Sequence, residues 1–253
     1  MKKQIISQLL EIEKQEGIKI LFACESGSRA WGFPSSDSDF DVRFIYCRPV
    51  DHYLSIEEKA DFINYPENQN LDIEGWDLMK ALRLVRKSNT TIFEWLQSPV
   101  IYHEEIDFRN KLWDLCRQYF CMKSNMHHYL GIAKGAFDTI IHENEIKIKK
   151  LFYVLRPLLA AKWCYQQRSI APMSVFPLLD AMPLPLKETV LTLIKLKETS
   201  AEGFLIRIEP ALLTYIEHEY AKYHQEAVSL HRLNFEVNVL DSFFKNTLIQ
   251  YDH

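Results

Sequence analysis

Residues 25–41 read Glu25-Ser26-Gly27-Ser28-Arg29-Ala30-Trp31-Gly32-Phe33-Pro34-Ser35-Ser36-Asp37-Ser38-Asp39-Phe40-Asp41. The stretch follows an apolar run, Ile18 to Cys24, that reads as a short buried strand. Gly27-Ser28 therefore stands where a strand ends and a helix can begin. A glycine at that point lets backbone N–H groups come close to a phosphate. The Ser28 hydroxyl and a helix N-terminus add donors and a favourable dipole. Ten residues separate Ser28 from Asp39. Phe40, Val42 and Phe44 then alternate with Asp39, Asp41 and Arg43, the pattern of a strand with one polar face. Asp39 and Asp41 are two apart and project from the same face of it. Two adjacent carboxylates repel, and a divalent cation resolves the repulsion. Mg2+ suits such a pair because it completes its octahedron with water and phosphate oxygens. Two such ions can activate an attacking hydroxyl and neutralise a leaving pyrophosphate.

Each half of this pattern is weak alone. Gly-Ser after a strand usually means a turn, and Asp-x-Asp usually means a solvated strand end. Asp37, Asp39 and Asp41 also imitate the start of an EF-hand loop, but Val42 stands where that loop needs glycine and Arg48 where it needs its last glutamate. The conjunction carries the reading: strand, Gly-Ser, ten residues, then Asp-x-Asp on a second strand.

Outward from this segment, the chain divides in two. Residues 2–16 place Ile5, Ile6, Leu9, Leu10 and Ile12 near one helical face, and Gly17 is a natural stop. Residues 47–69 read as irregular, with Pro49 and Pro66 and an Asn-rich end. Asn70 to Gly75 reads as another short strand. Asp77 can cap a helix through about Lys87, and Thr90 to Gln97 reads as a further short helix. From about Glu104 strand signals disappear. Amphipathic segments follow at roughly 105–121, 124–141, 144–168, 184–198, 208–228 and 231–248, with Pro172, Pro177, Pro183 and Pro185 marking one long connection. The expectation is an α+β domain over 1–103 with a mixed sheet, followed by an all-α helical domain over 104–253.

Composition agrees. The 253 residues include only 7 glycines, which argues against an all-β sandwich or barrel, and 47% are hydrophobic, enough for a real core. Lys and Arg number 30 and Asp and Glu 34, a net charge of −4, so any polyanion must bind a local basic patch rather than the bulk surface. Five cysteines without a CxxC motif fit free thiols in a reducing compartment. Glu11, Glu13 and Glu16 interrupt the N-terminal apolar residues before a signal-peptide core can form. Leu151 to Ala161 contains Arg156 and is too short to span a bilayer. The expectation is a soluble, cytoplasmic protein with no membrane partner.

The string GSRAWGFPSSDSDFDVRFIY, with the later LDIEGWDLMKALRL and KKLFYVLRPLLAAKW, resembles the polymerase-beta-type nucleotidyltransferases. Within that superfamily it is similar to the RNA-repair-pathway DNA polymerase beta family. The resemblance runs from about residue 20 to about 180. It implies a polymerase-beta-like nucleotidyltransferase core with a helical domain behind it. The implied reaction transfers a nucleoside monophosphate from an NTP, ATP being the expected one, with Mg2+ as cofactor and Mn2+ as the alternative ion. Carried over residue by residue, Gly27 and Ser28 would hold the triphosphate, and Asp39 and Asp41 the metals. The superfamily's third carboxylate lies within Leu71-Asp72-Ile73-Glu74-Gly75. Asp72 and Glu74 share a strand face, so spacing does not separate them; the family pattern favours Asp72.

Arg29 follows the Gly-Ser pair and is in reach of a phosphate, with a surface role as its rival. Trp31 reads as a packed loop anchor more readily than as a base-stacking platform. Lys149, Tyr153 and Arg156 share one face of the 144–168 helix, and Lys150 sits beside it. In this superfamily a helical domain often supplies cations to the nucleotide's phosphates, and those four residues are the candidates, each with a solvated helix face as its rival reading. The acceptor expected from the family resemblance is RNA, with adenylylation of a protein or a small molecule as alternatives, and a nucleotide-binding scaffold without turnover as the rival outside enzymes.

Overall fold

The computed structural model describes residues 1–68 and 70–252, with the side chains of 66–68 set aside. The chain forms two compact units that interleave along the sequence. One comprises Met1–Gly27, Asp39–Tyr119 and Asn234–His253; the other comprises Ser28–Ser38 and Phe120–Leu233. The division differs from the 1–103 and 104–253 expected from composition. The last helix returns to the first unit, and an eleven-residue loop belongs with the second.

The first unit is built on a five-stranded mixed sheet. Its elements are α1 (Lys2–Glu16), β1 (Lys19–Glu25), β2 (Phe40–Cys47), α3 (Val50–Tyr53), β3 (Phe62–Asn68), β4 (Leu71–Asp77), α4 (Leu78–Arg86), α5 (Thr90–Leu96), β5 (Ile101–Glu104), α6 (Phe108–Gln118) and α12 (Asn238–Tyr251). The strand order is β3-β4-β2-β1-β5. Only the β2–β4 pair is parallel, with Asp41 opposite Asp72 and Phe44 opposite Gly75. β3 and β5 were not expected. β3 occupies the last third of the stretch read as irregular, whose residue 69 lies outside the described residues.

Local rules account for much of this unit. α1 buries Ile5, Leu9 and Ile12, at i, i+4 and i+7, and Gly17 ends it in the left-handed conformation at φ 58°. Leu10, expected on the same face, is exposed because it lies about 100° around the helix from Leu9. The α1 residues share one core cluster with Ile20, Val42, Phe44, Tyr46 and Ile73 of the sheet. Asp77 caps α4, its Oδ1 accepting the Met79 N–H at 2.8 Å. α12 closes the unit through Phe244 edge-on to Tyr53 and Phe243 against Phe108.

In the second unit, α7 (Met122–Asp138), α8 (Ile148–Gln167), α9 (Val175–Leu179), α10 (Leu184–Thr199) and α11 (Pro210–Ser229) surround one apolar cluster. α8 is buried almost all round from Leu151 to Cys164 and carries Pro157 in its middle. Two short strands, β6 (Ile146–Lys147) and β7 (Leu205–Ile206), pair antiparallel where only helix was expected. All five cysteines are buried, and none is joined in a disulfide among the described residues. Among the described residues no helix is long and apolar enough to cross a membrane.

Gly75 is set by its register partner. A Cβ there would stand 2.1 Å from the ring of Phe44, which is fully buried and has no room to withdraw. Gly75→Ala should therefore cost about 3 kcal/mol, the upper end for overpacking, in urea unfolding. Phe44→Leu in the same chain should recover part of it. An unchanged unfolding midpoint in Gly75→Ala would mean that the ring can leave the glycine.

Candidate active site

The β2–β4 strip carries the acidic candidates. Parallel strands lie about 4.8 Å apart, so register partners project side by side from one face. Asp41 and Asp72 are such partners. Arg43, two residues beyond Asp41 on that face, reaches back to both. Its Nη2 lies 2.6 Å from Asp72 Oδ2 and 3.2 Å from Asp41 Oδ1. Its Nη1 donates to the carbonyls of Val42 at 3.0 Å and Asp72 at 3.2 Å. Glu74, directly opposite Arg43, instead accepts the indole N–H of Trp76 at 2.7 Å. The two acidic residues that spacing left equivalent thus have different neighbours: Asp72 is beside Asp41, and Glu74 is tied to its own strand. Asp39 lies just before β2, which begins at Phe40, rather than within the strand.

Asp41 is held from two further sides. The carboxylate of Glu25, at the end of β1 and 1% exposed, accepts the Asp41 backbone N–H at 2.9 Å and the hydroxyl of Tyr102. Gly27 has φ 58°, and a Cβ on it would stand 1.9 Å from Asp41 Oδ2. The reason for glycine visible here is the carboxylate itself, which occupies the space a side chain would take.

The donor chemistry suits a hard divalent cation. Two carboxylate oxygens from adjacent strands converge on one cationic nitrogen, that of Arg43, which stands in for an ion. The pair supplies two donors, and Mg2+ draws others from water and phosphate. Among the described residues no group of three or more His, Cys, Asp and Glu side chains is placed to hold a metal ion, so Asp39 is not assembled with the other two.

The remaining candidates belong to the second unit and gather around its loop 28–38. α2 (Gly27–Trp31) is a helix of five residues, and Ser28 continues it from Gly27. Ser28 Oγ donates to Ser38 Oγ at 3.2 Å, and Ser38 Oγ to Glu202 at 3.3 Å; Glu202 in turn pairs with Lys149. Arg29 Nη2 donates to the Ser38 carbonyl at 2.7 Å. Lys150 lies beside Lys149, half-buried. Tyr153 stands edge-on to Trp31 at 5.8 Å between ring centroids. Arg156, a phosphate candidate with a solvated helix face as its rival reading, is buried. It donates to the Met173 carbonyl at 3.1 and 3.2 Å and covers the Trp31 ring at 4.6 Å. Trp31 is the loop anchor expected of it.

Sequence reasoning missed three residues. Arg43 continued the 39/41/43 alternation and passed as strand polarity. Glu25 ended an apolar strand, and a charge in such a place is a signal when burial is expected. Lys197 sat unremarked in α10. It is 2% exposed, with Nζ 2.9 Å from the Phe33 carbonyl and 2.8 Å from Ser35 Oγ, so it clamps the loop from beneath. Burial lowers its pKa from the ordinary lysine value.

A family model described as the RNA repair pathway DNA polymerase beta family, RlaP, matches residues 1–246. The chain belongs to that family. It is a nucleotidyltransferase. It is 40% identical to the uncharacterized protein YcgL of Bacillus subtilis (strain 168) over 232 residues, covering 91% of this chain and 89% of that protein. Among solved structures it is similar to the spectinomycin adenyltransferase AAD(9) from Enterococcus faecialis, determined with ATP and spectinomycin. That likeness has 11% identity, a TM-score of 0.47, and covers 88% of this chain and 99% of the other. It is also similar to a nucleotidyltransferase-like protein from Exiguobacterium sibiricum 255-15, at 12% identity and a TM-score of 0.32, covering 89% and 75%.

Two substitutions in this RlaP-family chain check the support around Asp41. Tyr102→Phe removes a donor from a buried carboxylate and should destabilise by about 1.5–3 kcal/mol, read by urea unfolding. Gly27→Ala combines a left-handed backbone, costing about 1–2 kcal/mol, with the collision against Asp41. Placed in an Asp41→Ala chain, where the collision partner is gone, Gly27→Ala should cost only the backbone part. Equal costs in the two backgrounds would show that Asp41 yields freely.

Proposed function

We propose that this RlaP-family chain transfers a nucleoside monophosphate from an NTP, ATP first, to a hydroxyl of RNA, with Mg2+ as cofactor and Mn2+ as its substitute. The observation that carries the reading is the Asp41–Asp72 pair, side by side on parallel strands and braced by Glu25 and Gly27. Two carboxylates fixed together have little use in a protein that only binds a nucleotide. The family's description supports RNA as the acceptor class.

In this reading the acceptor oxygen forms a bond to the α-phosphorus, and the bond from that phosphorus to the bridging oxygen of pyrophosphate breaks. Asp72 takes the hydroxyl proton, and pyrophosphate leaves. Asp41 and Asp72 would hold the metal, which supplies positive charge to the phosphate oxygens when bound. Glu25 keeps the Asp41 backbone from moving, so the carboxylate is positioned before substrate arrives. Ser28, Arg29, Lys149 and Lys150 are proposed as donors to the triphosphate, and Tyr153 and Arg156 as the residues that hold Trp31 in shape. Glu74 takes no part in this scheme.

The test uses each α-labelled NTP with Mg2+ and a cell extract, followed by identification of the labelled molecule. Label should enter RNA; label in a protein or a small molecule would move the acceptor to that class. Asp41→Asn should lose transfer by orders of magnitude, since a metal contributes several kcal/mol to the transition state. It should fold nearly as well as the parent, because Arg43 still pairs with Asp72 and the amide oxygen can still accept from the guanidinium. Asp72→Ala should likewise abolish transfer, and Glu74→Ala should keep most of the rate. Full activity in excess chelator would sink the metal-dependent reading.

A further inference from the structure

Arg43 is the cation already present at the acidic pair. Its side chain is 14% exposed, and its guanidinium is fixed at four points: two carboxylates and two backbone carbonyls, all on β2 and β4. Three carboxylates share its strand face, and its direct register partner is Glu74. Yet Glu74 is bonded to Trp76, and Arg43 turns to Asp41 and Asp72. Two adjacent aspartates would otherwise repel and push the side chains apart. A forked guanidinium can meet both at once, where an ammonium supplies only a point charge.

We infer that Arg43 is a positioning residue, the resident counter-ion that holds Asp41 and Asp72 adjacent, and that an incoming divalent cation must compete with it for the pair. The second clause rests on the reading of the pair as a cation site; the first does not. When a cation takes the carboxylates, Arg43 keeps its two carbonyl contacts and gives up or shares its two carboxylate contacts. The two aspartates therefore keep one arrangement whether or not the metal is present, at the expense of metal affinity.

Two measurements on the full chain test this, with wild type, Arg43→Gln, Arg43→Lys, Asp72→Asn and the Arg43→Gln/Asp72→Asn double variant. The first is urea unfolding in chelator. Arg43→Gln should destabilise, and should cost much less when Asp72 is already Asn, because the repulsion that it exposes is gone. Additive costs would overturn the counter-ion role. The second is Mn2+ binding by calorimetry without nucleotide. Arg43→Gln should bind Mn2+ about tenfold more tightly or better, the worth of one charge-assisted hydrogen bond. Arg43→Lys, which retains the charge and serves if the glutamine variant does not fold, should fall between. Wild-type or weaker Mn2+ affinity in both Arg43 variants would overturn the competition. Absence of Mn2+ binding from every protein would remove the competition and the cation reading together. Metal-dependent transfer with unaltered Mn2+ affinity in Arg43→Gln would remove the competition alone.

Discussion

Parallel pairing of β2 with β4 puts two negative charges next to each other, and much of the first unit can be understood as making that arrangement tolerable. The register sets Asp41 against Asp72 and, three residues on, the Phe44 ring against a bare Gly75. Sliding β4 by one residue would bring a side chain onto that ring and turn the acidic face toward the core. The apolar side of the same strands, through Val42, Phe44 and Ile73, is buried with α1. Packing on one face thus fixes the charges on the other. Glu25, Gly27 and Arg43 then hold the carboxylates once the register is chosen.

What could be read from the chain was local. The Gly17 stop, the Asp77 cap and the 40–44 alternation each depend on a few adjacent residues, and each was found. β3 and β5 were not. β3 mixes polar and apolar residues around Pro66, and β5 has four residues, so neither offers a period long enough to stand out. Both exist because a neighbouring strand supplies a ladder, a long-range fact. The same limit explains the units. The apolar positions of 231–248 announce a face in need of burial, but nothing local says that the face belongs with Tyr53 and Phe108 of the first unit.

The site was legible to the same degree. Asp41 and Asp72 stand out in the sequence because alternation and family pattern coincide there, while the difference in neighbours between Asp72 and Glu74 shows only in the register and the Trp76 contact. Arg43 looked like one more polar strand residue because a sequence shows spacing and not the direction in which a long side chain bends. Lys197 was hidden for a related reason: lysine on an amphipathic helix is ordinarily solvated, and only a loop folded over it turns it into a clamp. Arg156 shows the converse, a cation taken from the surface into contact with Trp31 and the Met173 carbonyl.

Each unit fixes its own group of polar residues with a cation withdrawn from water, and the two cations differ as their tasks do. Loop 28–38 offers Lys197 a carbonyl and a hydroxyl, neutral acceptors that a compact ammonium can meet at 2.9 and 2.8 Å. Removing the ammonium would leave two neutral groups short of a donor, a local loss. The strand pair offers Arg43 two anions flanked by carbonyls, which need a fork. Removing the guanidinium would leave two like charges facing each other without a counter-ion. Lys197 is therefore a fastening for the loop, whereas Arg43 occupies a place where only another cation could substitute for it. That difference is why the second residue, rather than the more deeply buried first, bears on what the carboxylate pair can bind.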